Sequence, residues 1–436
     1  MLSIFDLSLQ LNGYPIKRAT VDLQKITALS SIAHEAYIER KKTEIVAFHM
    51  KNNSFYRELV GEKNSNNWED LPVLNKKNLQ KPLLDRLSNG YTLKNIYLNK
   101  TSGSSGDPFI FAKDKYCHAL TWASNIYRFG WYGIDFNTSH QARFYGIPMD
   151  FIGNKKERLK DFLGNRFRFA IFDLSDAVLE RFLTHFRNKK FDYINGYTSS
   201  IVLFAKFLQK KNIVLSNVCP SLKACMVTSE MLFEDDKLLL EKQLGIPIIN
   251  EYGASELDLI AFQNPAGEWQ VNSETLFVEI LGEDDAVLPY GQQGRIVITS
   301  LFNKAHPFIR YDIGDIGILD EKSTLQKPIL KKLIGRTNDV AILPSGKKAP
   351  GLTFYYITKS IIEDDGNVKE FVIKQTQKDT FEIKYVSETE LNLAQIEKIE
   401  QAIILYLEPN LKFSFIRKTS LKRNKRGKLK QFRSMV

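Results

Sequence analysis

The chain has 436 residues, 43% hydrophobic and 25% charged, which is the composition of a globular protein with room for more than one core. No apolar run approaches the ~18–20 residues that cross a bilayer. Met1-Leu-Ser-Ile-Phe-Asp6 lacks a basic stretch leading into an apolar one. The three cysteines, Cys117, Cys219 and Cys225, have an odd count and no metal-like spacing. The expectation is a cytoplasmic protein with reduced thiols and no integral membrane segment. The formal charge of +11 is uneven, because Leu411–Val436 holds ten Lys or Arg and no acid. Such a tail suits a polyphosphate ligand, a nucleic acid or a membrane surface.

Residues 1 to about 90 read as helical and loop-rich, with an amphipathic run over Ile32–Tyr56. Asn75 stands where it could cap a helix beginning at Lys76. Asn95–Leu98 and Phe109–Ala112 read as strands, so the stretch between them is the tip of a hairpin; Tyr116–Trp131 follows as an aromatic-rich helix. An alternation then sets in: strand Arg168–Phe172, helix Ser175–Asn188 with Ser175 as N-cap, strand Phe191–Ile194, helix Ser199–Lys210. It continues with strand Leu222–Val227, helix Phe233–Leu244 and strand Ile246–Asn250. Short apolar runs alternating with helices predict βαβ units and a parallel sheet, whose ligands sit beyond the carboxyl ends of the strands. Those ends carry Gly196, Tyr197, Thr228 and Glu251. From Trp269 to Leu319 the pattern turns hairpin-like, predicting an antiparallel subdomain. Beyond Gly335, the strands Phe371–Lys374 and Phe381–Tyr385 and the helix Leu393–Leu407 make a small α+β domain.

The hairpin tip, Thr101-Ser-Gly-Ser-Ser-Gly-Asp-Pro108, packs small hydroxyl residues around two glycines. Glycine lets the backbone approach a ligand, and successive free N–H groups make an anion nest. No Gly-Lys-Ser/Thr closes it, so it is not a Walker A loop. Four motifs follow in order: Asn250-Glu-Tyr-Gly-Ala-Ser-Glu256, Arg310-Tyr-Asp-Ile-Gly-Asp315, Gly335-Arg-Thr-Asn-Asp339 and Arg426-Gly-Lys428. Taken singly, each has an ordinary structural reading, such as a core tyrosine or a surface carboxylate. Their joint order does not.

That ordered set resembles the adenylate-forming ligase superfamily, and within it the phenylacetate–CoA ligase group and its capsular-polysaccharide, CapK-type branch. The resemblance covers most of the chain after about residue 68 and includes Leu71–Leu79, Asn195–Ser200 and Ser300–Tyr311. It implies a large ATP- and carboxylate-binding domain over residues 1–335 and a small mobile domain over 336–436. It further implies that Thr101, Ser102, Gly103, Ser104, Ser105 and Gly106 hold the β- and γ-phosphates of ATP. Glu251, Tyr252, Gly253, Ala254 and Ser255 would lie along the nucleotide, with Tyr252 stacking on adenine. Glu256 would bind Mg2+, Asp315 and Arg336 would contact the ribose, and Lys428 would be the mobile catalytic lysine. The hinge falls on Asn338 or on Asp339. Departures are Phe109 where many ligases have Lys, and Ala254-Ser255 where the branch often has Ser-Arg. The cysteine that commonly follows this motif is also absent.

The implied chemistry is activation of a carboxylic acid as acyl-AMP with release of pyrophosphate, then transfer to an acceptor. A thiol, coenzyme A first and a carrier-protein thiol second, would give a thioester. An amine would give an amide, as in joining an amino compound to a sugar acid during surface-polysaccharide assembly. Joining two anions requires charge neutralisation, which a hard cation held by one carboxylate and a delivered lysine would provide. Strand-end logic alone nominates Tyr145, Gly196, Tyr197 and Thr228 as lining the acid. Nucleic-acid binding through the tail is the distant alternative. No recognition module accompanies it, and Phe413, Phe415 and Phe432 are sparse for base stacking.

Overall fold

The computed structural model describes residues 4–61, 67–101, 109–146, 158, 160–162, 164–336, 340–350, 368–423 and 429–436. It falls into two compact units, Met1–Ile313 with Gly317–Lys332, and Gly314–Ile316 with Leu333–Val436. The first unit opens with helices Ile4–Leu11, Ile16–Thr27, Ser31–Asn52 and Ser54–Val60. The run expected over Ile32–Tyr56 is therefore two helices. Asn53 breaks it, because its side chain caps the second helix at Tyr56 N (2.8 Å) and donates to Arg86 O (2.9 Å). The helix expected from Lys76 is only a 3₁₀ turn, Asn78–Gln80. Asn75 does accept from Lys77 N at 2.9 Å, but Pro82 leaves no room for a longer helix.

Strands β1 (Ile96–Lys100) and β2 (Ile110–Asp114) form the expected hairpin, antiparallel with Lys100 opposite Ile110. Asp114 then caps the helix Lys115–Gly130, accepting from Tyr116 N and Cys117 N at 3.0 and 2.9 Å.

The large sheet is built from β3 (Gln141–Phe144), β4 (Arg166–Phe169), β5 (Tyr193–Tyr197), β6 (Ala224–Thr228), β7 (Ile248–Ala254), β8 (Asp258–Gln263) and β9 (Trp269–Val271). Their order is β4-β3-β5-β6-β7-β8-β9, parallel through β7 and antiparallel beyond. Helices Asp176–Asn188, Thr198–Lys210 and Glu234–Leu244 cover one face over a phenylalanine-rich core. In it, Phe169 stacks on Phe144 at 4.9 Å and on Phe186 at 5.3 Å. Such pairs add about 0.5–1.5 kcal/mol each beyond burial. Ser175 holds the N-cap position without a capping bond from its side chain. The opposite face packs Tyr193, Ala224, Met226 and Ile249 against Phe129, Leu259 and Phe262.

A second sheet takes β10 (Leu276–Leu281), β11 (Gln293–Ser300), β12 (Tyr311–Leu319) and β13 (Leu330–Arg336) in chain order. Trp269, expected to open this antiparallel region, belongs instead to β9 of the large sheet, since β8 and β9 extend that sheet's edge.

In the second unit β14 (Val340–Ile342) pairs with β15 (Lys348–Pro350). A four-stranded sheet takes β16 (Val368–Gln377), β17 (Thr380–Ser387), β18 (Lys412–Lys418) and β19 (Phe432–Ser434) in the order β18-β17-β16-β19. Helix Leu393–Tyr406 starts at a capping box of Asn392 and Gln395. Part of the basic tail is thus woven into the sheet as β18 and β19, so it is not a free arm. Among the described residues no helix is long and apolar enough to cross a membrane, and the three cysteines are free and buried.

Candidate active site

The hydroxyl-rich loop rises from a fastened base. Thr101 is buried; its N–H donates to Phe109 O and its Oγ1 accepts from Phe109 N, both at 3.0 Å. Below this closure, Arg86 donates to Ile110 O at 2.7 Å and Asn303 to Ala112 O at 2.9 Å. Lys304 N donates to Asp114 Oδ2, also at 2.9 Å. The segment 303–306 therefore fixes the hairpin from the side. His306 contacts Arg86 and stays neutral, since burial lowers its pKa well below the ordinary range. Residues Ser102, Gly103, Ser104, Ser105 and Gly106 lie outside the described residues.

The parallel strands end level with one another. Phe144 faces Gly196, Tyr197 faces Thr228, and Thr228 faces Glu251 across successive pairs. Thr228 Oγ1 donates to Glu251 Oε1 at 2.9 Å, and burial holds the Glu251 carboxyl above its usual range. The Tyr145 ring meets Tyr197 edge-on at 4.7 Å, and its hydroxyl donates to Asn195 Oδ1 at 3.0 Å. Gly196 is needed for spacing, because a Cβ there would lie 2.4 Å from Phe144 O. The four residues nominated by strand-end logic are thus gathered at the ends of three adjacent strands, Tyr145 just past β3, with Glu251 on a fourth.

β7 then turns back through Ser255, Glu256 and Leu257 into β8. A register shift falls between Tyr252 and Gly253, and a side chain at Gly253 would meet Asp258 O at 2.6 Å. Asp258 itself takes the left-handed conformation, φ +60°, which Asp tolerates better than bulkier residues. Tyr252 is 7% exposed, its ring edge-on to Trp269 at 6.0 Å. Glu256 is buried at the middle of the turn and accepts from Tyr311 Oη at 3.0 Å. Tyr311 is held in turn by a parallel bridge to Leu74. Arg310 beside it donates to Glu69 O and Leu71 O at 2.8 and 3.0 Å. That is the role the structure gives Leu71–Leu74: it braces the strand that positions Glu256.

Two residues that sequence reading passed over complete the turn. Lys113, at the end of the hairpin, pairs with Asp258, to which Thr121 Oγ1 also donates at 2.8 Å. They line a cavity of about 20 Å³ with Cys117 and Ser300, room for a single water. Burial pushes the Lys113 ammonium down to about 8, against the pull of Cys117, Glu256 and Asp114. Burial raises the Cys117 thiol to about 12, which keeps it an inert thiol.

Asp315 is buried on β12, in the stretch Gly314–Ile316 that groups with the second unit. Arg336 closes β13, its side chain outside the described residues; Asn338, Asp339 and Lys428 also lie outside them.

No protein-family model matches the chain. It is 24% identical over 310 residues to protein CapK of Staphylococcus aureus, covering 66% of this chain and 65% of CapK. It is 24% identical over 200 residues to a phenylacetate-coenzyme A ligase of Aromatoleum evansii, covering 44% of each. The matched stretches span less than two thirds of either relative's own length. A 2-hydroxyisobutyryl-CoA ligase, solved in the postadenylation state with R3-HIB-AMP, superposes with a TM-score of 0.69 at 15% identity, over 93% of this chain and 90% of its own. The fold is that of the adenylate-forming ligases. Within that fold, the resemblance read from the ordered motifs and the mixed α/β architecture are both borne out. What the sequence did not signal in an adenylate-forming ligase scaffold is the Lys113–Asp258 tie, whose partners stand far apart in the chain.

Proposed function

We propose that the chain is an AMP-forming carboxylate ligase that activates a carboxylic acid with ATP and passes the acyl group to a thiol, coenzyme A before a carrier-protein thiol. The observation that carries this is Glu256. It is buried on the turn that closes the carboxyl end of β7, held by Tyr311, beside the aligned ends Tyr197, Thr228 and Glu251. The likeness to CapK and to phenylacetate-coenzyme A ligase, and the shared fold with a ligase captured with an acyl-AMP, support it.

A carboxylate oxygen of the acid attacks the α-phosphorus of ATP, and the bond to pyrophosphate breaks. The thiol sulfur then attacks the acyl carbon, AMP leaves with the bonding pair, and the thiol proton passes to solvent. The loop rooted at Thr101 would hold the β- and γ-phosphates. The backbone at Gly253 and Ala254 would admit the adenine beside Tyr252, and Asp315 and Arg336 would hold the ribose. The acid would lie along Tyr145, Gly196, Tyr197 and Thr228. Among the described residues no three His, Cys, Asp or Glu side chains gather as metal ligands. One buried carboxylate fits Mg2+, which takes most of its ligands from phosphates and water. Bound there by Glu256, the ion would neutralise the phosphate oxygens. Lys428, delivered about a hinge at Asn338 or Asp339 that joins 1–335 to 336–436, would add a cation at the α-phosphate only on closure.

The test is pyrophosphate release with Mg2+-ATP across a carboxylate panel, wild type against Glu256→Gln. Acid-dependent release that the substitution abolishes is expected. No acid-dependent release together with no ATP binding sinks the reading. Mass spectrometry of products made with coenzyme A, a phosphopantetheinyl carrier or amines identifies the acceptor.

A further inference from the structure

The outer strands of the large sheet carry positive charge that nucleotide chemistry leaves unused. β3 and β4 run parallel with Gln141 opposite Arg166 and Arg143 opposite Arg168. Ala142, Phe144, Phe167 and Phe169 point into the phenylalanine core. The alternation of strand side chains therefore puts Gln141, Arg143, Arg166 and Arg168 on the other face. Arg168 is matched, its Nε and Nη2 reaching the two oxygens of Asp161 at 2.6 and 2.9 Å.

Arg143 and Arg166 differ: neither has an acid within ion-pair distance among the described residues. Arg143 Nη1 reaches Gln141 Oε1 only at 3.5 Å, the guanidinium lies over the Tyr145 ring at 4.3 Å, and Nε is buried without a partner. Arg166 is pushed below its ordinary pKa first by burial and then by the Arg143 charge, which together outweigh the opposing pull of Tyr193 and Asp161. Glu251 feels the Arg143 charge, but burial outweighs it and keeps that carboxyl inclined to hold its proton. Among the described residues, these two neighbouring guanidinium groups thus have no ion-paired carboxylate, and Arg166 feels Asp161 only at longer range. A buried donor left unmade is costly, and an anion with two oxygens in one plane is the group that a guanidinium fork takes up.

The place of this charge gives it meaning. Arg143 stands two residues before Tyr145, which lies just past the end of β3, and its guanidinium covers that ring. Gln141 Nε2 and Tyr145 Oη both donate to Asn195 Oδ1, at 3.1 and 3.0 Å. A polar rail therefore runs from the guanidinium pair to the strand ends.

We propose that Arg143 and Arg166 form the distal end of the acid pocket and select a carboxylic acid that carries a second anionic group. The proposal rests on the ligase reading above. One carboxylate is presented for activation at the strand ends. The other group, a carboxylate or a phosphate-like head, is bound by the arginines and does not react.

Titration calorimetry without ATP tests the site directly, using matched probes. These are glutarate and 4-phosphonobutyrate against valerate, and 4-carboxyphenylacetate against phenylacetate. The expected result is binding of at least one dianion about tenfold or more tighter than its monoanionic match, the least that a charge-assisted pair contributes. Arg143→Gln and Arg166→Gln should each erase most of that ratio, and Arg143→Lys should retain part. Two outcomes overturn the proposal: equal binding within both sets of probes, or a ratio unchanged in whichever Gln variant keeps the wild-type melting temperature. The phosphonate and carboxylate arms distinguish the two kinds of second anion. Pyrophosphate release run alongside separates the claims. Release without dianion preference removes the arginine site alone, whereas preference with neither release nor ATP binding removes the ligase reading alone.

Discussion

Replacing Tyr311 with phenylalanine isolates what holds Glu256. The hydroxyl is fully buried and donates to Glu256 Oε1 at 3.0 Å, and the carboxylate is itself only 4% exposed. Water has little room to replace the lost donor, while the ring keeps its edge-on contact with Phe308 at 5.2 Å. A hydrogen bond to a charged acceptor contributes about 1.5–3 kcal/mol. At 1.36 kcal/mol per decade, this is roughly 10- to 150-fold in any equilibrium that needs Glu256 oriented. Two assays read it: the urea unfolding midpoint, and the Mg2+ concentration for half-maximal acid-dependent pyrophosphate release. Both should move, the first by a stability loss within that range and the second upward by tenfold or more. Lost stability with an unchanged Mg2+ requirement would refute the reasoning, because Tyr311 would then be bracing a carboxylate that holds no cation. If neither assay moves, the bond itself carries no weight.

Lys428→Ala should slow adenylate formation by about 10²–10³, as loss of one transition-state donor does. Lys425→Ala and Lys430→Ala should cost little; equal, mild effects in pre-steady-state kinetics would make the tail a diffuse cationic surface. Gly196→Ala should destabilise by about 1–3 kcal/mol, because the new Cβ would sit 2.4 Å from Phe144 O; an unchanged melting temperature refutes that packing account. Acidification should weaken the fold through buried His49, whose pKa burial lowers to about 4. The folded state refuses a proton that the unfolded chain takes up below about pH 6.5, so stability falls between pH 6.5 and 4, by about 2 kcal/mol at pH 5. His118, lowered to about 3, acts in the same direction, while the raised Glu251 and Glu279 oppose it. Urea midpoints at pH 7, 6 and 5 should therefore drop less steeply in His49→Gln than in wild type, and parallel slopes would exclude His49 as a source.

The alternating half of the large sheet was legible because each strand there is a short apolar run between helices with distinct ends. Strand β3, next to the edge strand β4, was not, since Gln141-Ala-Arg-Phe144 is half polar and reads as loop until its neighbours are known. The hairpin-like pattern was read only from Trp269 onward, so β8 went unread and Trp269 was assigned to the wrong sheet. Strand-end logic brought Tyr145, Tyr197 and Thr228 together because parallel register aligns carboxyl ends whatever the side chains are. Lys113 with Asp258, and Tyr311 with Glu256, stayed hidden for a different reason. Each pair joins elements remote in sequence, and a lone lysine or tyrosine carries no pattern that announces its partner.

The tie between Lys113 and Asp258 has a mechanical meaning. Lys113 stands next to last in the strand that follows the hydroxyl-rich loop, and Asp258 begins the strand that leaves the Glu256 turn. The segment proposed to hold the terminal phosphates and the one proposed to hold their Mg2+ are therefore riveted together, with Thr121 of the adjoining helix as a third fastening. A lesion in either segment should register in both. Hydrogen exchange at the hairpin base and at the turn should rise together, and grafting a foreign loop between Thr101 and Phe109 should disturb the turn that carries Glu256.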